Sequence, residues 1–168
     1  GLLVSFDKIG GTSTGAFTPV VNQGSGVYTT TYTGMVAGTA QTVQANVNLG
    51  AFGPTGTIQV LVGAPVAANS TLTITSSPVN SGTTATVSAL IRDAYNNPIT
   101  TQYAITFDAI GGSSTGTFGA VNNGGAGNFS TTYEGVVAGS AQTVRVFADG
   151  IQIAGLTASV QVRAGAVN

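Results

Sequence analysis

The chain has 168 residues, with no Cys, His or Trp and only four Lys+Arg and five Asp+Glu. An average soluble domain is about 25% charged, whereas this chain is 5% charged with a net charge of −1, which gives it no electrostatic footprint for nucleic acid or an anionic membrane. The missing Cys excludes a disulfide framework and thiolate metal sites, and no run of about 18 apolar residues is present to span a bilayer.

Strand signals dominate from the first residues. Gly1-Leu2-Leu3-Val4 has no basic start and no cleavage site, so it does not read as a signal peptide. Leu2, Val4 and Phe6 alternate with other residues, as do Tyr28, Thr30 and Tyr32, then Val43, Ala45 and Val47, then Ile58, Val60 and Val62. Period two in β-branched and aromatic residues predicts half-buried strands. Gly10-Gly11, Gly24-Ser25-Gly26, Ala37-Gly38 and Gly53-Pro54 predict the breaks between them. The stretch from Gly63 to Ser70 does not alternate, and residues 65–70 are expected to be a linker. Leu72 and Ile74 follow, then a break at Ser76-Ser77-Pro78 and the alternating run Ala85, Val87, Ala89, Ile91. A polar turn from Asp93 to Pro98 leads to strands around Ile105–Phe107, Phe118, Phe129–Tyr133, Val144–Val146 and Val160–Val162. These amount to about seven strands from Thr71 to Ala166, close to one immunoglobulin-like sandwich of roughly 100 residues.

The chain also repeats itself. Phe6 to Val43 returns as Phe107 to Val144, 101 residues on, without a gap and with most positions identical. A period of one domain length predicts tandem domains. The copies are unequal, because the second has two strands, Leu72–Thr75 and Thr84–Arg92, ahead of its repeated part and the first has none. The expected fold is therefore all-β: tandem immunoglobulin-like β-sandwich domains, the first incomplete at its N-terminal side. Residues 1–64 form a partial sandwich of later strands, 65–70 the linker and 71–168 a complete sandwich. Without its central strand the first sandwich leaves Val4, Phe6 and Val43 open, and about 64 residues of this kind bury too little to stand alone. Either the chain is a fragment of a longer array, or strands from another subunit fill the gap. Two sets of later strands against one set of leading strands favour the fragment, because copies cannot complete one another without leaving a domain short. A short donor segment from elsewhere still fits by strand addition.

At Ser77-Pro78, the run Thr84–Arg92 and Asp93-Ala94-Tyr95-Asn96-Asn97-Pro98-Ile99, the second domain resembles a bacterial Ig-like domain of the invasin/intimin type. Asn96 stands where that pattern has Gly, and Asn also accepts positive φ. Gly116-Thr117-Phe118, Gly127-Asn128-Phe129, Thr131-Thr132-Tyr133 and Ala138-Gly139 before Thr143-Val144 extend the match. It covers Thr71 to Ala166 in full and residues 1–64 for the later strands. Filamin-type repeats share part of the pattern and are β-sandwich spacers as well. The resemblance implies a surface-exposed or secreted protein whose stacked domains hold a binding tip away from the cell. Its partners would be neighbouring repeats or copies of itself, with a host-surface or glycan ligand elsewhere in the full protein.

Candidate chemistry is sparse, and no catalytic, cofactor or metal site is assigned. Lys8 is replaced by Ala109 in the second copy, so it reads as a solvated strand residue or as one side of a Lys–Asn isopeptide. Asp7 and Asp108 lie a whole domain apart and cannot work as an acid/base pair; turn capping or loop bonding is expected of them. Asp93 with Asn96 and Asn97, or Asp149, offers thin material for a junctional calcium, against a plain polar turn. Gly10-Gly11 and Gly111-Gly112 lack the Lys-Ser/Thr of a phosphate loop and read as turns. Tyr32 and Tyr133 are expected to fill the core rim with their hydroxyls on polar groups. Asn69-Ser70-Thr71 and Asn128-Phe129-Ser130 fit the N-glycosylation pattern, and both are expected to be accessible. Sugars there, or self-assembly, would keep so uncharged a surface soluble outside the cell; an acidic habitat also suits it.

The function these features predict is structural and non-enzymatic: a repeat of an extracellular or cell-surface fibre, stalk or adhesin. The alternatives are a binding module acting through its loops and a filament subunit assembled by strand exchange. Binding would be sought at the hairpin where the copies differ most, Asn48–Thr57 against Asp149–Ala158.

Overall fold

The structure, a computed structural model, describes residues 2–165. The expected repeat boundary from Ala166 onward lies outside them. The fold is all-β, and the chain divides into Gly1–Val62 and Gly63–Asn168.

In the second unit, one sheet runs β12 (Thr115–Phe118), β14 (Asn128–Val137), β10 (Thr84–Leu90), β8 (Thr71–Ile74), with β13 (Asn122–Gly125) also on β14. The other sheet runs β11 (Ile105–Ile110), β15 (Gln142–Ala148), β16 (Ile151–Val160). A short parallel pair joins β17 (Val162–Arg163) to β9 (Val79–Asn80). Ala85, Val87, Ala89 and Ile91 all face inward and are buried, as their alternation predicts. Ala85 and Val87 join Val79, Tyr133, Val144, Val160 and Val162 in one core cluster, with Phe107, Ala109 and Phe118 packed alongside.

The first unit holds β1 (Val4–Ile9), β2 (Thr14–Phe17), β3 (Val21–Gly24), β4 (Val27–Thr29), β5 (Tyr32–Val36), β6 (Gln41–Val47) and β7 (Gly50–Ile58). The sheet β1-β6-β7 matches β11-β15-β16, down to a shared register: Phe6 pairs with Ala45 and Phe107 with Val146. The β2–β5 pairing matches β12–β14, including the irregularity after its first residue pair. Gly11 and Gly112 close the same turn at φ +63° and +61°; a Cβ at either would sit 2.3 or 2.2 Å from the carbonyl oxygen of Ala40 or Ala141.

Counterparts of β8, β9 and β10 are absent from the described part of the first unit, and three consequences follow. The single strand β14 becomes two, β4 and β5, interrupted at Thr30-Thr31. There the Thr18 hydroxyl accepts from the Thr31 N–H (3.0 Å), and the Thr30 hydroxyl donates to the Thr18 carbonyl (2.7 Å). The second bond has its counterpart in the second unit, where the Thr131 hydroxyl donates to the Gly119 carbonyl (2.8 Å), but the first does not, because Gly119 has no hydroxyl to draw the N–H away from the ladder. Gln59 to Val62 is not a strand, contrary to its alternation, because the β9 that would pair with it is missing. Val60 nevertheless lies over Gly34 as Val162 lies over Gly135. The third consequence concerns burial: every fully buried apolar side chain among the described residues belongs to the second unit.

Two further expectations are corrected. Gly53-Pro54 is no break; β7 runs through it as an edge strand with a bulge, the one setting in a sheet that tolerates Pro. The matching bulge in β16 takes one residue more, so the repeat offset passes from 101 to 102 there. The stretch expected as a linker is folded onto the second unit. The Val66 N–H donates to the Arg92 carbonyl (2.9 Å), the Ser70 hydroxyl to the Val66 carbonyl (2.7 Å), and Ala67–Asn69 forms one 3-10 turn.

Candidate functional site

The first unit presents an open edge beside an apolar groove. Leu2, Val4, Phe6, Gly26, Tyr28, Ala45, Val47 and Phe52 line a groove of about 370 Å³. Ten of the sixteen large apolar residues exposed in the described chain lie in this smaller unit, among them Leu49 at 86% and Phe52 at 64%. Beside the groove, β4 pairs with β3 and β5 with β2, and neither pairs on its other side among the described residues. In the second unit that side of the strand is covered by β10, with Thr84 opposite Glu134 through Leu90 opposite Asn128. Shifted by 101 residues, the uncovered positions are Thr33 to Val27.

The interior behind this edge is built from the same parts in both units, yet they meet differently. Phe6, Phe17 and Tyr32 form a chain of rings at 6.0 and 5.0 Å, as Phe107, Phe118 and Tyr133 do at 6.3 and 5.1 Å. Tyr133 is fully buried, and its hydroxyl donates to Gln142 Oε1 at 2.9 Å. Burial raises its pKa, since the phenolate would be desolvated. The hydroxyl of Tyr32 and the Oε1 of Gln41, the matching pair, are buried and have no hydrogen-bond partner. Tyr133 therefore fills its place as expected, whereas Tyr32 does not. The pairing was signalled by Tyr and Gln holding register across the repeat.

Lys8 is not the solvated strand residue expected. It shares the inner face of β1 with Val4 and Phe6, half-buried, at the position Ala109 holds in the second unit. Its Nζ lies 5.3 Å from the Tyr32 ring centre and 5.9 Å from that of Phe17, and donates to the Gly15 carbonyl. This cation–π and hydrogen-bonded setting replaces the solvation the ammonium has lost.

Asp7 and Asp108 are corrected as well. They cap no turn, because both stand mid-strand on the outer face. Asp108 accepts from Arg145 Nε at 2.8 Å and also from its Nη2, in a two-pronged ion pair. The hydrogen bond to Asp108 raises the Arg145 pKa; desolvation opposes this and Coulomb attraction adds to it. Asp7 accepts from Asn46 Nδ2 at 2.6 Å.

Asp93 organises the turn that holds the supposed linker. Its carboxylate is buried and accepts from the Gly63 N–H (2.9 Å), Tyr95 N–H (2.9 Å), Asn97 N–H (2.8 Å) and Asn97 Nδ2 (2.8 Å). Burial alone would raise its pKa, but the bonds from Asn97, Gly63 and Tyr95 outweigh it and hold the carboxyl below its ordinary range. Asn96 takes φ +66°, the role Gly has in the family pattern. Among the described residues no three of His, Cys, Asp or Glu gather to hold a metal. Asp149 is spent on the hairpin base, accepting from the Ala104 N–H at 2.7 Å.

The two glycosylation candidates differ. Asn128 is exposed at the start of β14, while Asn69 is half-buried and its Nδ2 donates to the Asp93 carbonyl at 2.8 Å. At the divergent hairpin, Asn48 and Leu49 take φ +49° and +68°, against Asp149 and Gly150 at +49° and +77°.

The two sheets, the repeated register and the Asp93 turn together make the chain similar to bacterial Ig-like domains of the invasin/intimin type. The whole chain is similar to 49% of the Yersinia pseudotuberculosis protein InvD, at 27% identity and a TM-score of 0.62. It is also similar to the Escherichia coli adhesin FdeC (97% of this chain and 54% of that one, 24% identity, TM-score 0.68). A third likeness is to invasin, a bacterial integrin-binding protein (98% and 32%, 17% identity, TM-score 0.58); these last two likenesses show the fold alone. The chain thus spans about half or less of each of these structures. No family model and no curated protein sequence matches it.

Proposed function

We propose that the chain is a stretch of stacked Ig-like domains from an extracellular or cell-surface adhesin or fibre, acting as a mechanical spacer. The observation that carries this is its likeness to InvD over both units at once, joined to a repeat that keeps strand register across the chain. The role is non-enzymatic and needs no cofactor. Antiparallel sheets and a linker stretch fastened to the Asp93 turn resist extension and proteolysis, and an exposed Asn128 is available to carry sugar. No helix among the described residues is long and apolar enough to cross a membrane. The test is small-angle scattering on polypeptides of one, two and four complete repeats. Maximum dimension should rise linearly with repeat number; growth as the cube root, the mark of a compact particle, would refute the spacer.

A second reading has its own observation. The hairpin between β6 and β7 carries Leu49 and Phe52, both largely exposed, where the copies differ most. Exposed apolar groups on a loop tip suit contact with a receptor or glycan.

A further inference from the structure

We propose that Asn123 is a self-modification site: the Gly124 backbone nitrogen attacks the Asn123 side-chain amide, ammonia leaves, and water opens the resulting succinimide to aspartate or isoaspartate. The site lies wholly within the second unit and does not depend on the spacer role.

Asn123-Gly124 is the only Asn-Gly pair in the sequence. Gly matters at the second place because the attack closes a five-membered ring through that residue's nitrogen, and a Cβ beside the nitrogen would crowd it. Both residues are exposed, so water and hydroxide reach them.

The fold adds to what the dipeptide offers. The two residues lie in β13, whose pairing with β14 passes from Asn123 opposite Phe129 to Gly125 opposite Asn128. Gly124 is thus the extra residue of a bulge and stands outside the ladder register. The Gly125 N–H donates to Asn123 Oδ1 at 2.9 Å. That oxygen gains negative charge when the amide carbon becomes tetrahedral, so the donor is already where an oxyanion needs one. Asn123 Nδ2 donates to the Thr100 carbonyl at 2.9 Å, which fixes the other end of the amide.

The reaction balances with water as the only co-reactant. The Gly124 nitrogen gives its proton to hydroxide and bonds to Asn123 Cγ; the Cγ–Nδ2 bond breaks, and Nδ2 takes protons from water and departs as ammonia. Water then cleaves one of the two ring C–N bonds. Cleavage at Cγ gives aspartate, and cleavage at the main-chain carbonyl gives isoaspartate. Either product loses the Nδ2 bond to Thr100 and adds a negative charge to a chain that has only five Asp+Glu.

The first unit supplies the comparison. Asn22 stands at the matching place, also exposed, and its Oδ1 accepts from the Gly24 N–H at 2.8 Å. The same bulge recurs there, but its extra residue is Gln23, whose side chain flanks the nitrogen that would attack.

The test is peptide-mapping mass spectrometry on the full chain held at mildly alkaline pH. Asn123 should convert at least about tenfold faster than Asn22, at a rate that rises with pH and is no lower than in the same chain unfolded by guanidinium. Gly124→Ala should slow the conversion by about tenfold or more. The fold accepts that change, because a Cβ there would meet only the Asn128 carbonyl oxygen at 3.6 Å and the Asn128 Cβ at 3.7 Å. Equal rates at Asn22 and Asn123, or a Gly124→Ala chain that converts as fast as the parent, would overturn the site. Slower conversion in the folded than in the unfolded chain would mean that the two hydrogen bonds shield the amide, and would overturn the part assigned to the Gly125 N–H.

Discussion

One substitution, made at two repeated positions, should have opposite signs. Tyr133→Phe removes a hydroxyl that is fully buried and bonded to Gln142 at 2.9 Å. The loss comprises a net hydrogen bond of about 1 kcal/mol and the cost of stranding the Gln142 oxygen, for a total of about 2 kcal/mol. In a unit of this size that lowers Tm by roughly 10 °C. Tyr32→Phe removes a buried hydroxyl that has no partner. Deleting an unsatisfied polar atom should leave stability unchanged or raise it, by up to about 1 kcal/mol. The assay is urea unfolding followed by exchange mass spectrometry, which reports each unit separately. A Tyr133→Phe loss below about 0.5 kcal/mol, or equal losses at both positions, would refute the reasoning.

Asp93→Ala strands three backbone N–H groups and the Asn97 amide, and should cost the second unit about 3 kcal/mol in urea unfolding at pH 7. Because the Asp93 pKa is lowered on folding, its contribution is complete above the unfolded value of about 3.9 and is lost as pH falls through the folded value. Asp93→Asn should therefore flatten the acid limb of a stability–pH profile below about pH 4, and an unchanged slope would contradict the assignment. Leu49→Gly should stabilise the first unit by about 1 kcal/mol, since a branched side chain at φ +68° is strained and Gly150 already fills that place in the other copy. If the variant gains stability and loses binding to a receptor or glycan that the parent chain binds, Leu49 is a contact residue; if that binding survives, the hairpin reading fails.

The class of fold was legible because period-two alternation and the 101-residue repeat are both long-range signals that local accidents do not imitate. Absence of a leading strand in the first copy was legible for the same reason, by comparing the copies. What escaped was decided by partners that no single segment reveals. Ile58, Val60 and Val62 alternate like a strand, but a strand needs a neighbour, and the one at β9 exists only in the second unit. Gly53-Pro54 looks like a break because Gly and Pro usually are, yet an edge strand absorbs them in a bulge. Residues 65–70 looked like a tether because they do not alternate. Their fastening comes from Asp93 and Arg92, more than twenty residues away and visible only in space. Lys8 was misplaced because its charge suggested water, whereas its parity with Val4 and Phe6 had already set it on the inner face.

The central claim is that one repeat is closed and the other open at the same edge. Residue-resolved amide exchange on the unextended chain at neutral pH tests it most directly. Asn128–Glu134 should exchange at least about a thousandfold more slowly, relative to intrinsic rates, than the matching Val27–Thr33. Equal protection of the two segments would mean that the first unit closes without a β10 counterpart, and the account would be wrong.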